Sequence, residues 1–461
     1  MFLIGVALSM AWLLQLSWEK ASSVIRVQLA TSLTPPETLR SSPQVINILM
    51  VGSDSAAGLD RDRSVLNGRR GERNGDVIII AHLDERDGSA ALLSFPRDLW
   101  VEMAATGQEA KINKAFATGG PAELIDTIEE NFDVPINYFV NIDFAGFEGL
   151  VEAVGSVEVY FPEPARDWNP ETRATQTGFE MLEAGCRALD PPTALAYVRS
   201  RYYQTMVDGR WRTDPTSDLG RIRRQQEFLQ RLGARAIELG ARNPFVLSDL
   251  IDAGLKNVSI DQQFTPQLLI DLGRTYGSFE PGELATYTFP TRSGSVGAAN
   301  AELPLTDQAE PLLAYFRGAS ADDPSTVGLE LVHARSEAES TESLAASLSR
   351  RGFEPTTKSG SNLAPGVSVF HGPDGAAAAS VVAAALQEEL GFPPAVRLLP
   401  ADARVPLVAR NIRVTVGAFE LVVPEFPLVD DLSVDDPVEI ETTVAGAEDV
   451  ATPAPSADGC E

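Results

Sequence analysis

The stretch Gly71–Asp98, GERNGDVIIIAHLDERDGSAALLSFPRD, constrains this chain more than any other. Two runs of strand-forming residues, Val77–Leu83 and Ala90–Phe95, flank Glu85-Arg86-Asp87-Gly88, and an Asp-Gly pair between two such runs marks a tight hairpin. Partners in a hairpin share a constant index sum. A turn over those four residues therefore pairs Asp84 with Ser89 and brings Asp76 opposite Arg97. Pro96, which has no N–H to give a ladder, ends the second strand. A rigid, mostly apolar ribbon is thus predicted to hold one carboxylate and one guanidinium together at its open end.

With 461 residues and 44% hydrophobic content, the chain has material for two or three folded domains. A net charge of −28 argues against nucleic acid, whose binding needs Lys and Arg to neutralise phosphates. Residues Ala418–Glu461 hold twelve Asp or Glu and no Lys or Arg, so they read as an acidic, disordered tail. Cys186 and Cys460 are the only cysteines, and His82, His333 and His371 the only histidines, without the clustering a zinc site needs. A disulfide is discounted because Cys460 falls in that tail. His82 alternates with apolar residues and reads as a packed side chain. Met1–Trp18 carries no charge and would span about 27 Å as a helix, near the thickness of a bilayer core. We read it as a single-pass membrane anchor with the bulk of the chain outside. The competing reading, a cleaved signal peptide, lacks its basic leading region.

After a spacer over 19–43, Gln44–Gly52 is a continuous apolar run expected as a central strand that delivers Asp54 at its end. A helix is expected over Gly119–Phe132, then strands Tyr138–Ile142 and Val157–Phe161 around a helix at Ala145–Val154. A short helix over Ala188–Ala196 leads into Tyr197–Arg201, read as a strand, and Tyr202–Thr216 reads as a polar insertion. A long helix runs from Asp218, as N-cap, to about Leu239, followed by helices over Phe245–Ser278 and a strand over Glu283–Pro290. The fold class is α/β: a mixed central sheet flanked by helices over residues 44–318. A linker at 319–327 joins it to a small βα domain over 328–417.

Four pieces of chemistry recur along this frame: Asp54, the Asp76–Arg97 pair, Arg199 with Arg201, and Arg221 with Gln225. Arg199 and Arg201, two apart on a strand, would share a face, and Arg221 and Gln225 lie one helical turn apart near a helix N-terminus. Four arginines and an amide in an acidic protein imply a polyanionic ligand, most economically a phosphate or pyrophosphate. Asp54 and Asp76 beside them would hold a divalent ion, Mg²⁺ above all, or one of them would take a proton from an attacking hydroxyl. The bland reading of each residue is a turn former or an exposed ion pair, which contributes only about 0–1 kcal/mol. An apolar groove is also sought among Phe132, Phe139, Phe144, Phe147, Leu150 and Val154, although such a stripe is more often ordinary core.

These segments resemble the LytR-CpsA-Psr family of extracytoplasmic cell-envelope enzymes. The resemblance runs in order through NILMVGSD (47–54), GDVIIIAHLD (75–84), LLSFPRD (92–98), KINKAFATGG (111–120), IDFAGFEGLVEAVGSVEV (142–159), ALAYVRSR (194–201) and SDLGRIRRQQ (217–226). Residues 328–417 are similar to the C-terminal domain often attached to this family. The resemblance implies transfer of a glycopolymer from a polyprenyl-pyrophosphate carrier to peptidoglycan. It implies Asp54 and Asp76 as Mg²⁺ ligands, and Arg97, Arg199, Arg201, Arg221 and Gln225 as the grip on pyrophosphate. The chain departs from the family pattern in reading Arg73-Asn74-Gly75-Asp76 where Arg-Ser-Asp is usual, so Arg73 receives no role, and Leu189-Asp190-Pro191 stands for Leu-Asp-Gly. Two other functions remain compatible with the sequence: a non-catalytic envelope sensor that binds lipid-linked phosphate, and a polyprenyl-pyrophosphate hydrolase.

Overall fold

The structure, a computed structural model, describes residues 25–29, 33–34, 45–54, 74–216, 218–241, 246, 258–276, 278–280, 283–361, 363–372, 375–390, 393–399, 410–417 and 460. Strands β1 (Ile25–Val27), β2 (Val45–Ser53), β3 (Gly75–Asp84), β4 (Ser89–Phe95), β5 (Tyr138–Ile142), β6 (Val258–Asp261) and β7 (Ala285–Thr288) form one sheet in the order β1-β6-β5-β2-β3-β4-β7. Three neighbouring pairs, β1/β6, β2/β5 and β4/β7, are parallel, and the other three are antiparallel. The sheet is therefore mixed, as the sequence predicts. Helices α1 (Asn113–Phe132), α2 (Phe144–Ala153), α3 (Pro191–Arg199), α4 (Asp218–Glu238), α5 (Pro266–Thr275) and α6 (Thr306–Phe316) accompany it.

The period of two along β2–β4 divides the apolar residues between the faces. Leu49, Val51, Ile78, Ile80, Leu93 and Phe95 are buried in one core with α1 and α6. Ile46 and Ile48 face the other way, into a core with Val140, Ile260 and Phe264. Each such side chain taken from water stabilises the fold by roughly 1.5–3 kcal/mol. The β3–β4 hairpin has the expected register, Asp84 opposite Ser89 and Ile78 opposite Phe95, and Gly88 supplies the left-handed turn residue at φ 75°. Helix α1 begins six residues before the expected Gly119 and kinks at Gly120, φ 71°, because Pro121 has no N–H to continue the hydrogen-bond ladder.

His82 is packed, as read. Asn47 Nδ2 donates to Pro135 O and Phe316 O, so its Oδ1 is left to accept from His82 Nδ1 at 2.8 Å. The ring sits 4.6 Å from that of Tyr315 and 5.0 Å from that of Phe316, centroid to centroid.

Several expectations need correction. Part of the expected spacer is β1, whose Ile25–Val27 pairs with Ser259–Asp261. Tyr197–Arg201 is not a strand: Asp190 caps α3 by accepting from Thr193 N, Pro191 and Pro192 occupy its first positions, and the helix runs through Arg199. The polar insertion is a hairpin, Tyr203–Val207 with Arg210–Thr213, in a four-stranded sheet with Ala165–Asp167 and Glu180–Met181. The segment Phe245–Ser278, read as helical, contains β6. Cys186 and Cys460, set aside as partners, are joined by a disulfide with their Cα atoms 5.3 Å apart.

The C-terminal domain has its own core and a five-stranded sheet with helices Ala338–Arg350 and Ala376–Leu390. It sits against α6, where Asn411 Nδ2 donates to Gln308 O. Buried Arg410 donates to Thr326 O and Ala321 O and so fixes the linker. The expected anchor at 1–18 and most of the tail at 418–461 lie outside the described residues. Among the described residues, no helix is long and apolar enough to cross a membrane.

Candidate active site

The site is built on an irregularity between β2 and β3. Gly52 pairs with Val77, but the next partner of Ser53 is Gly75, so Asp76 is the extra residue of a β-bulge. By parity alone Asp76 would share the face of Ile78 and Ile80, which points into the α1 core. The bulge turns it instead into a cleft that Val77 and Ile79 also line. Gly52 permits this close crossing, because a Cβ there would stand 2.9 Å from the Cβ of Val77.

Arg97 and Asp76 meet as the hairpin arithmetic predicts. Arg97 Nη1 donates to Asp76 Oδ1 at 2.8 Å, and Arg201 Nη2 lies 3.4 Å from Asp76 Oδ2. Burial by itself raises a carboxyl, but the guanidinium groups of Arg97, Arg221 and Arg201 outweigh it and hold Asp76 ionised well below the usual carboxylate range. Arg221 is buried, and its Nη2 pairs with Asp218 Oδ1 at 2.6 Å. Asp218 lies in the first turn of α4, and burial lowers the pKa of Arg221 against that pairing. Gln225, one turn on, donates to Val198 O at 3.1 Å and ties α4 to α3. Arg199 closes α3 with its guanidinium 4.0 Å from the centre of the Phe144 ring. Asp76, Arg199, Arg201, Arg221 and Gln225 all line one cleft.

Asp54 does not line that cleft. It is buried just past Ser53, which does, and its carboxylate accepts from Asn74 N at 2.8 Å and Asn74 Nδ2 at 3.4 Å. Among the described residues, no three His, Cys, Asp or Glu side chains group into a metal cage. Among the described residues, the side-chain oxygens of Asp54, Asp76 and Ser53 are candidate hard ligands, and the buried Ser53 hydroxyl has no hydrogen-bond partner there. So sparse a set suits Mg²⁺, which keeps its waters and takes substrate phosphate oxygens rather than filling a protein cage.

Behind the charged rim the cleft is apolar, lined by Met50, Ile79, Phe144, Phe147, Phe228 and Leu229, and its empty volume is about 1080 Å³ including solvent at the mouth. Of the groove residues sought in sequence, Phe144 and Phe147 reach it, whereas Phe132, Phe139 and Val154 belong to cores.

Sequence reasoning missed the residues that hold the arginines. Arg224, given no role from sequence alone, donates to the carbonyl of Ser200 at 2.6 Å, stacks on Tyr203 and pairs with Asp214. It thereby fixes the turn between Arg199 and Arg201. Gln226 bonds Ser94 Oγ and Tyr287 O, both at 2.9 Å, and docks α4 onto β4 and β7. The repeated polar residues of SDLGRIRRQQ were the available signal. Lys111 pairs with Asp98 at 3.1 Å and does not line the cleft.

The cleft thus sets a guanidinium-rimmed mouth over an apolar interior. The chain belongs to the LytR_cpsA_psr family, whose model matches residues 19–310. It is 27% identical over 246 residues to the polyisoprenyl-teichoic acid–peptidoglycan teichoic acid transferase TagU of Enterococcus faecalis, covering 53% of this chain and 71% of that protein. It is 35% identical over 214 residues to the probable cell wall biosynthesis protein LcpB of Corynebacterium glutamicum, covering 46% of this chain and 47% of that one. It therefore spans about half the length of that second relative. Among solved structures, the LytR-Csp2A-Psr enzyme from Actinomyces oris matches with a TM-score of 0.48 at 22% identity, over 64% of this chain and 96% of that chain.

Proposed function

We propose that this chain is a membrane-anchored, extracytoplasmic phosphotransferase that moves a glycopolymer from a polyprenyl-pyrophosphate carrier to peptidoglycan. The observation that carries the reading is the convergence of Asp76, Arg199, Arg201, Arg221 and Gln225 at the mouth of an apolar cleft. The pyrophosphate is gripped by those arginines, Gln225 and Arg97, and the prenyl chain lies against Phe144, Phe147 and Phe228. A muramic-acid hydroxyl attacks the phosphorus nearer the donor sugar. The new P–O bond forms to that oxygen, the bond to the bridging oxygen breaks, and its electron pair leaves with polyprenyl phosphate while the hydroxyl proton is released. These residues act by holding the diphosphate in line and neutralising its charge. Asp54 and Asp76 would hold Mg²⁺, which when bound adds to that neutralisation. The Cys186–Cys460 disulfide supports an oxidising compartment outside the cytosol.

The test is to incubate the chain with a polyprenyl-pyrophosphate glycan, Mg²⁺ and peptidoglycan, alongside Asp76→Ala and Arg97→Ala. Transfer by the parent and its loss in both variants supports the reading. Binding without turnover in all three proteins points to a sensor, and turnover that needs no peptidoglycan points to a hydrolase. Either outcome overturns it.

A further inference from the structure

The hairpin Tyr203–Val207/Arg210–Thr213 carries chemistry that the cleft does not use. In its sheet, Glu180, Arg166, Gln204 and Thr213 stand in register across the strands as one polar row. Trp168, two residues beyond Arg166, and Trp211, opposite Met206, share that row's side of the sheet. The other side packs inward through Ala165 and Tyr203. The Arg166 guanidinium lies 4.8 Å from the Trp168 ring centre and 4.2 Å from that of Trp211, and its Nε donates to Gln204 Oε1 at 3.0 Å. Both tryptophans remain half-exposed. Stacking and hydrogen bonding hold these two large rings on the outer face, although it belongs to none of the hydrophobic cores.

Buried Asp167, between Arg166 and Trp168, ties the strand beneath this face to segments that line the cleft. Asp167 Oδ2 accepts from Gln176 N at 2.6 Å and Thr177 N at 2.8 Å, and Gln176 and Thr177 line the cleft. Its Oδ1 accepts from Ser200 Oγ at 3.0 Å and Tyr202 N at 3.2 Å, on either side of Arg201. One carboxylate thus locks the segment that bears Trp168 to the segment that bears Arg201.

We propose that this tryptophan face docks the saccharide strand of the acceptor and leads one of its hydroxyls to the cleft. The proposal rests on the reading of the cleft given above. Sugar rings present C–H faces that stack on indole and hydroxyl edges that need donors and acceptors. Trp168 and Trp211 offer the first, and Arg166, Thr213 and Glu180 the second, while buried Gln204 braces Arg166 and donates to Thr213 Oγ1 at 3.0 Å.

The test uses the whole chain and muramidase-solubilised peptidoglycan strands. Strand binding is read directly by tryptophan fluorescence, and acceptor KM and kcat by transfer, for Trp168→Ala, Trp211→Ala and Trp211→Phe. We expect each alanine variant to raise acceptor KM about tenfold while kcat moves less than about twofold, and Trp211→Phe to recover much of the loss. Donor affinity is expected to stay at the parent value, and melting curves show that each variant is folded. Unchanged acceptor KM in both folded alanine variants overturns the proposal. Failure of the cleft reading has a separate signature: no transfer by the parent while tryptophan-dependent strand binding persists.

Discussion

Arg97 Nη1 lies 2.8 Å from Asp76 Oδ1, two positions beyond the last paired rung of the β3–β4 hairpin, Ile78 with Phe95. The ladder has ended there, so the side chains continue the pairing that the backbone gives up. Hairpin register sets which two residues meet, and the bulge at Asp76 sets where they point.

Removing Arg97 takes the nearest guanidinium from Asp76, and removing Asp76 takes a shared carboxylate from Arg97, Arg201 and Arg221 at once. Asp76→Ala and Arg97→Ala are each expected to lower the rate of glycopolymer transfer by at least about 100-fold. The double variant is expected to be scarcely worse than either single one, because the pair acts as a unit. Steady-state transfer rates of the four proteins check both statements.

Gly52 is the steric condition for the bulge. Gly52→Ala places a methyl group 2.9 Å from Val77 Cβ, between two strands of a packed sheet. We expect about 1–3 kcal/mol of destabilisation by urea unfolding and a loss of transfer larger than the remaining folded fraction explains. Adding Val77→Ala is expected to recover part of the stability.

A metal completed by the substrate predicts that EDTA stops transfer and that added Mg²⁺ restores it. Asp54→Asn, which keeps an oxygen for Asn74 but removes the charge, is expected to raise the Mg²⁺ concentration for half-maximal rate about tenfold. A rate unchanged in metal-free buffer removes both aspartates from this role.

His82 makes acid stability informative. Burial, the largest influence, pushes its pKa from 6.5 down to about 4. Below pH 6.5 the unfolded chain takes up a proton that the folded chain refuses, so this contribution is full above 6.5 and is lost as pH falls to about 4. The loss is on the order of 3 kcal/mol across that window. His82→Gln is expected to flatten it, as urea midpoints at neutral and acidic pH would show.

The hairpin was legible because its turn, its alternation and Pro96 are local signals that agree. The arginines of the cleft were legible by type, yet Arg199 and Arg201 were set on the wrong element. Tyr197 and Val198 look like strand formers, and only the cap by Asp190 and the buried helix–helix contact decide for α3. β1 could not be read from three residues in a Ser/Thr/Pro-rich stretch, because its partner Ser259–Asp261 lies far along the chain. The sheet bearing Trp168 and Trp211 hid for a related reason: its strands are short and polar, and its order comes from Asp167 rather than from apolar periodicity. Asp54 illustrates a different limit. Sequence placed it at a strand end, but nothing local foretold that Asn74 would engage its carboxylate.

The bond between Cys186 and Cys460 closes a covalent circuit across a separation of 274 residues, and the whole C-terminal domain lies on that circuit. That domain is consequently leashed twice, once by the peptide that leaves α6 and once by sulfur at the edge of the Val157–Phe161/Gly185–Leu189 ribbon. Reducing agent would leave the peptide after α6 as the domain's one covalent tie to the cleft-bearing domain.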